Sequence, residues 1–89
     1  MDFSYLHDYM IYPNPAEDYV DVDLDAARFR AVDLSIIDGL GKVLRQQKVK
    51  SAPIGPVRMN LEDLPTGLYF LRVEAEGLRD VVKKLVIAR

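Results

Sequence analysis

One stretch constrains this chain more than any other. Leu64-Pro65-Thr66-Gly67 runs directly into Leu68-Tyr69-Phe70-Leu71-Arg72-Val73. Pro65 removes an amide donor and fixes its own φ, and Gly67 is a second breaker, so no regular element crosses them. The run beyond Gly67 is rich in aromatic and branched residues, which fit a pleated surface. Side chains in such a run alternate faces. Tyr69, Leu71 and Val73 therefore share one face, expected to be the core, while Leu68, Phe70 and Arg72 share the other. Gly67 is expected at a turn needing positive φ or close backbone approach, and to tolerate substitution less than Gly55. A second such run ends in Lys84-Leu85-Val86-Ile87. Neither run carries groups that do chemistry.

The rest of the chain repeats the pattern. Val20, Val22 and Leu24 alternate with Asp21, Asp23 and Asp25, as in a half-buried strand. Val32, Leu34 and Ile36 alternate with Asp33 and Ser35, and Val57, Met59 and Leu61 alternate again. Asp38-Gly39-Leu40-Gly41-Lys42 has turn chemistry, and Val43 to Val49 is the expected return strand. Ser51 to Pro56 reads as a loop, Glu62 to Thr66 as a short helical turn, and Leu78 to Ile87 as the last strand. A short strand is expected near Tyr9 to Tyr12, before the stiff corner Tyr12-Pro13-Asn14-Pro15. No segment keeps a helical period for three turns. The prediction is an all-β sandwich of about seven short strands.

With 89 residues the chain is one domain. Its formal net charge of −2 argues against a nucleic-acid partner, which asks for a basic face. No apolar run reaches the ~18 residues of a membrane helix, so no membrane span is expected. Cys is absent, which excludes disulfides and thiolate chemistry but does not choose a compartment. Met1 opens no signal peptide.

Each candidate site has a plain alternative. Asp21, Asp23 and Asp25 suggest a hard cation, but an EF-hand loop needs Gly and Glu where Ala26 and Val32 stand; a solvated strand face paired with nearby arginines or lysines is the better account. Gly39-Leu40-Gly41-Lys42 lacks the spacing and subsequent helix of a phosphate loop and reads as a hairpin turn. His7 stands without the ligands a zinc site needs and outside any nucleophile-elbow context. Tyr5, Tyr9, Tyr12, Tyr19 and Tyr69 could stack a ligand, but they also fit packing at the core or rim. No catalytic residue, metal or cofactor is expected.

Taken in order, Tyr12-Pro13-Asn14-Pro15, a valine-alternating strand, Asp38 to Gly41-Lys42-Val43, Leu61 to Val73 and Lys84-Leu85-Val86-Ile87 resemble the C-terminal sorting domain of type IX secretion cargo, the Por secretion system tail of Bacteroidetes. The resemblance covers Met10 to Arg89 and leaves residues 1–9 as a lead-in or linker from upstream cargo. Thr66 and Leu68 depart from the commoner Ala and Val, and Ala88-Arg89 close a tail that often ends in Lys.

The resemblance implies an immunoglobulin-like sandwich of about seven antiparallel strands. It implies passage through the periplasm, recognition at an outer-membrane translocon, removal by a sortase-like peptidase, and release or surface attachment of the cargo. The residues it marks for translocon recognition are Tyr12, Pro13, Asn14, Pro15, Gly41, Lys42, Leu64, Pro65, Gly67, Tyr69, Lys84, Leu85, Val86 and Ile87. The terminal strand is expected to carry the signal, through unpaired edge backbone and the basic cluster Lys83, Lys84 and Arg89. A cell-surface adhesion or carbohydrate-binding sandwich is the alternative. Arg89 as last residue favours sorting, because an adhesion module tolerates sequence after it.

Overall fold

The alternating runs become seven strands in the computed structural model, which describes residues 9–89. They are β1 (Met10–Tyr12), β2 (Tyr19–Asp23), β3 (Val32–Ile37), β4 (Val43–Val49), β5 (Pro56–Asn60), β6 (Gly67–Ala75) and β7 (Val81–Ile87). One sheet has the order β1-β2-β5, the other β4-β3-β6-β7, and every strand pair is antiparallel. The chain thus crosses between sheets after β2, after β4 and after β5. This is the strand distribution of an immunoglobulin-like sandwich.

Alternation sets which face is buried. Val20 and Val22 of β2, Leu34 and Ile36 of β3, Leu71 and Val73 of β6, and Leu85 and Ile87 of β7 meet in one core. Tyr69 joins them, so the face expected of the Gly67 strand is the buried one. Removing these side chains from water stabilises the fold by roughly 1.5–3 kcal/mol each.

Three local expectations change. The Asp21-to-Asp25 alternation stops at Asp23, whose Oδ1 accepts the Asp25 amide at 2.9 Å. A short polar side chain that captures the backbone two residues on bends the chain away from the ladder. A single 3-10 turn, Asp25–Ala27, comes next. The stretch from Glu62 to Thr66 is a turn rather than a helix, closed by the Leu64 amide on the Leu61 carbonyl at 2.9 Å. The last strand starts at Val81, because Gly77 adopts a φ of 79° and the Leu78 amide folds back onto the Ala75 carbonyl. His7 and Tyr5 lie outside the described residues.

Candidate functional site

The proline corner closes on the far end of the chain. Tyr12-Pro13 and Asn14-Pro15 are cis peptide bonds. Between them, Asn14 Nδ2 donates to the Lys84 carbonyl at 2.9 Å, and Asn14 Oδ1 accepts the Val86 amide at 3.0 Å. A carboxamide offers one donor side and one acceptor side, so it imitates a neighbouring peptide group. Two residues on, the Ala16 amide donates to the Val86 carbonyl at 2.8 Å and the Ala88 amide donates to the Ala16 carbonyl at 2.9 Å. Ala16 and Ile87 form a parallel bridge there. The outer edge of β7 is therefore partnered from Lys84 to Ala88. The expectation that the terminal strand presents unpaired backbone over this stretch is corrected. An edge strand is a pairing liability, and here a side chain and one extended residue cover it.

The Leu64-Pro65-Thr66-Gly67 turn is self-bracing. Tyr69 Oη donates to the Pro65 carbonyl at 2.6 Å, the tyrosine-corner arrangement of immunoglobulin-like folds. Gly67 does not have positive φ, and a Cβ on it would lie 3.7 Å from the Tyr69 ring, an ordinary contact. Gly55, by contrast, has a φ of 108°, so the two glycines exchange the roles expected of them. Local composition marks both as breakers, while φ depends on how each turn closes.

Arg89 completes the same corner. Its Nε donates to Asp18 Oδ1 at 3.0 Å, Nη2 donates to the Leu61 carbonyl at 2.7 Å, and Nη1 donates to the Leu64 carbonyl. A guanidinium has five donors in a fixed fork, enough to gather several acceptors at once. Sequence reasoning places Arg89 in a basic cluster and misses this clamp. Its partners lie 71, 28 and 25 residues away, so no local pattern signals it.

The Asp38–Lys42 hairpin is organised by its acid. Asp38 Oδ1 accepts the Leu40 amide at 2.8 Å and the Lys42 amide at 2.9 Å. Gly41, with a φ of 86°, makes that closure possible without a Cβ penalty. Of the two glycines expected to do so, Gly39 does not.

Strand register brings these pieces to one end of the sandwich. Ile37 at the hairpin pairs Val43 and Phe70; Phe70 pairs Lys84; Tyr69 pairs Leu85 and Gly67 pairs Ile87. Asn14 then binds β7 from outside. Among the residues singled out from sequence, Tyr12, Pro13, Asn14, Pro15, Gly41, Lys42, Pro65 and Lys84 are exposed, and Gly67 and Val86 are half-buried. Leu64, Tyr69, Leu85 and Ile87 are buried. On the folded domain those four present little or no surface to a partner.

The remaining candidates are engaged elsewhere. Asp21 accepts from Arg58 Nε at 2.9 Å and Nη2 at 3.1 Å, and the Arg58 guanidinium lies 3.7 Å over the Tyr19 ring. The Arg58 hydrogen bonds hold the Asp21 carboxyl below the usual carboxylate range, against a smaller desolvation effect that raises it. The same pairing raises Arg58. Asp25 pairs with Arg28 at 3.4 Å. Among the described residues no group of three or more His, Cys, Asp or Glu is placed to hold a metal ion. Tyr9 and Tyr69 are core, while Tyr12 and Tyr19 sit on the outer face of the three-stranded sheet. No helix among the described residues is long and apolar enough to cross a membrane.

No curated protein matches the chain. Residues 10–88 match the family described as "Secretion system C-terminal sorting domain". The match spans the corner, the hairpin, the self-braced turn and the terminal strand, and it favours sorting over an adhesion module. It is a family of signals rather than of enzymes, and its members carry cargo to the cell surface or the medium. The chain belongs to the C-terminal sorting domains of type IX secretion.

Proposed function

We propose that the secretion machinery reads this domain, folded, at the end where the four segments meet. The observation that carries this is the convergence itself. Segments from residues 12–16, 38–42, 64–69 and 84–89 are scattered in sequence and joined there by register, the Asn14 bonds and the Arg89 clamp. Of this set, Lys42, Lys84, Pro65 and the proline corner are exposed for contact. The upstream cargo reaches the periplasm by a separate N-terminal signal, the outer-membrane translocon engages this end, and a sortase-like peptidase removes the domain.

A reporter carrying a periplasmic signal and residues 10–89, expressed in a host with this secretion system, tests the reading. The intact fusion is expected at the surface or in the medium. Removing Lys84 to Arg89 also deletes Leu85 and Ile87 from the core, so its failure would report unfolding. The informative variants are Lys42→Glu and Lys84→Glu, which alter exposed groups only. Export should fall while thermal melting of the isolated domain stays unchanged. Unchanged export of the double variant would move recognition away from this end.

A further inference from the structure

We infer that the opposite edge of the four-stranded sheet, β4, is a docking edge for an extended acidic segment of a second protein, which adds to it as a further strand. This goes beyond the end of the fold assigned above. Two independent observations carry it.

The first is backbone availability. β4 is the outer strand on the side away from β7. Among the described residues, the single hydrogen bond reaching its backbone from outside the β3 ladder is from Arg45 Nη1 to the adjacent Leu44 carbonyl, at 3.0 Å. Among the described residues no corner, side-chain amide or bridging residue lies along it as Asn14 and Ala16 lie along β7. A seven-residue edge of this kind supports strand addition, with the backbone supplying affinity and alternate side chains specificity.

The second is charge. From Gly39 to Leu61 the sequence holds five of the chain's 12 Lys and Arg and none of its 14 Asp and Glu. Four of the five, Lys42, Arg45, Lys48 and Lys50, lie on or beside β4. Register places them on both faces: Arg45 opposite the buried Ile36, hence turned inward, and Lys48 opposite Asp33, hence turned outward. Lys42, Lys48 and Lys50 are exposed and form no ion pair among the described residues. Arg45 pairs only with Asp63, at 3.6 Å, and that carboxylate is 92 % exposed, so the pair exchanges readily. The inward side of the edge opens into a crevice lined by Arg45, Gln46, Gln47, Met59, Asn60 and Asp63.

A strand laid on β4 therefore meets a cation with its inner side chains and another with its outer ones. Carboxylates at every position satisfy both, and carboxylates at alternate positions satisfy whichever face the register turns them to. The same charges argue against a second copy of this chain, because β4 on β4 would oppose cation to cation. A phosphate-rich surface would neutralise the charge but bring no amides to pair the edge.

The test uses the full chain and two ten-residue peptides, one alternating threonine and glutamate, the other threonine and lysine. Amide shifts and hydrogen exchange are followed residue by residue. The glutamate peptide is expected to protect amides of Val43–Val49 and leave those of Val81–Ile87 unchanged, and the lysine peptide to do neither. Affinity for the glutamate peptide should fall at least tenfold in Lys48→Glu, and again in Lys48→Glu/Lys50→Glu, with both variants melting as the wild type does. Equal binding of both peptides, protection at β7 instead of β4, or no protection anywhere would overturn the proposal. So would the same β4 protection by inositol hexakisphosphate, which would reduce the edge to an anion site, or by concentration alone, which would indicate self-pairing. Export of the reporter fusion is a separate readout, so failure here leaves the assignment of the sorting end standing.

Discussion

The two edges of the four-stranded sheet face the same hazard and meet it differently. At β7 the exposed backbone is covered by Asn14 and Ala16 and locked beyond its end by Arg89. At β4 no described residue covers the backbone; its register against β3 shifts between Ile36 and Ile37, Arg45 is turned inward, and Lys48 lies on the strand with Lys42 and Lys50 beside it. Covering an edge ties it to the rest of the domain and makes it part of what must fold together. Charging an edge repels copies of itself while leaving the groups open to an acidic partner. The first strategy couples β7 to global stability, and the second leaves β4 comparatively independent of it.

That contrast can be broken, most strongly in the core beneath the covered edge. Leu85→Ala should cost ~2–5 kcal/mol in urea unfolding, whereas Lys48→Ala at an exposed position of β4 should stay within about 0.5 kcal/mol. Equal losses would erase the distinction between the edges. Next comes the clamp: Arg89→Ala should destabilise by about 1.5–3 kcal/mol, since charged donors leave three acceptors. Arg89→Lys should recover little, because an ammonium lacks the fork. Asn14→Ala should cost about 1–2 kcal/mol for two bonds at a partly solvated edge. Its sharper signature is faster exchange of the Val86 amide; an unchanged rate there would show that Asn14 does not seal β7. On the β4 side, Gly41→Ala should cost about 1 kcal/mol for forcing a Cβ into positive φ, more than Gly67→Ala. The reverse order in melting temperature would restore the special role expected of Gly67.

The smallest effect is a control in the other sheet. The folded-state carboxyl of Asp21 is depressed by Arg58, so its contribution is present above the ordinary carboxylate pKa of about 3.9 and is lost as pH falls through the folded value. The difference in urea midpoint between wild type and Asp21→Asn should therefore exist at neutral pH and vanish in strong acid. A difference that grows on acidification would contradict the assigned cause.

The part of the fold legible in the sequence is the part governed by a period of two. Val20, Val22, Leu34, Ile36, Leu71 and Val73 declare themselves as buried because alternation and burial are the same fact seen twice. Asp25 misleads, because alternation on paper continues where the Asp23 carboxylate turns the backbone aside. The resemblance places the corner and the terminal strand in one signal but gives no hint that Asn14 seals the other's edge. That contact spans 70 residues and depends on one carboxamide, which leaves no periodic trace. The clamp of Arg89 is hidden for the same reason, while the φ of Gly55 is decided by how its own turn closes.

The parallel bridge between Ala16 and Ile87 has a mechanical consequence. If cargo pulls on the domain from upstream of β1 while the end of β7 is held, the corner and the terminal strand are drawn in opposite directions along their own length. The bonds from Asn14 to Lys84 and Val86, and from Ala16 to Val86 and Ala88, then bear load side by side instead of opening one at a time. A grip on the tail in that geometry transmits traction to the passenger before the handle itself comes apart.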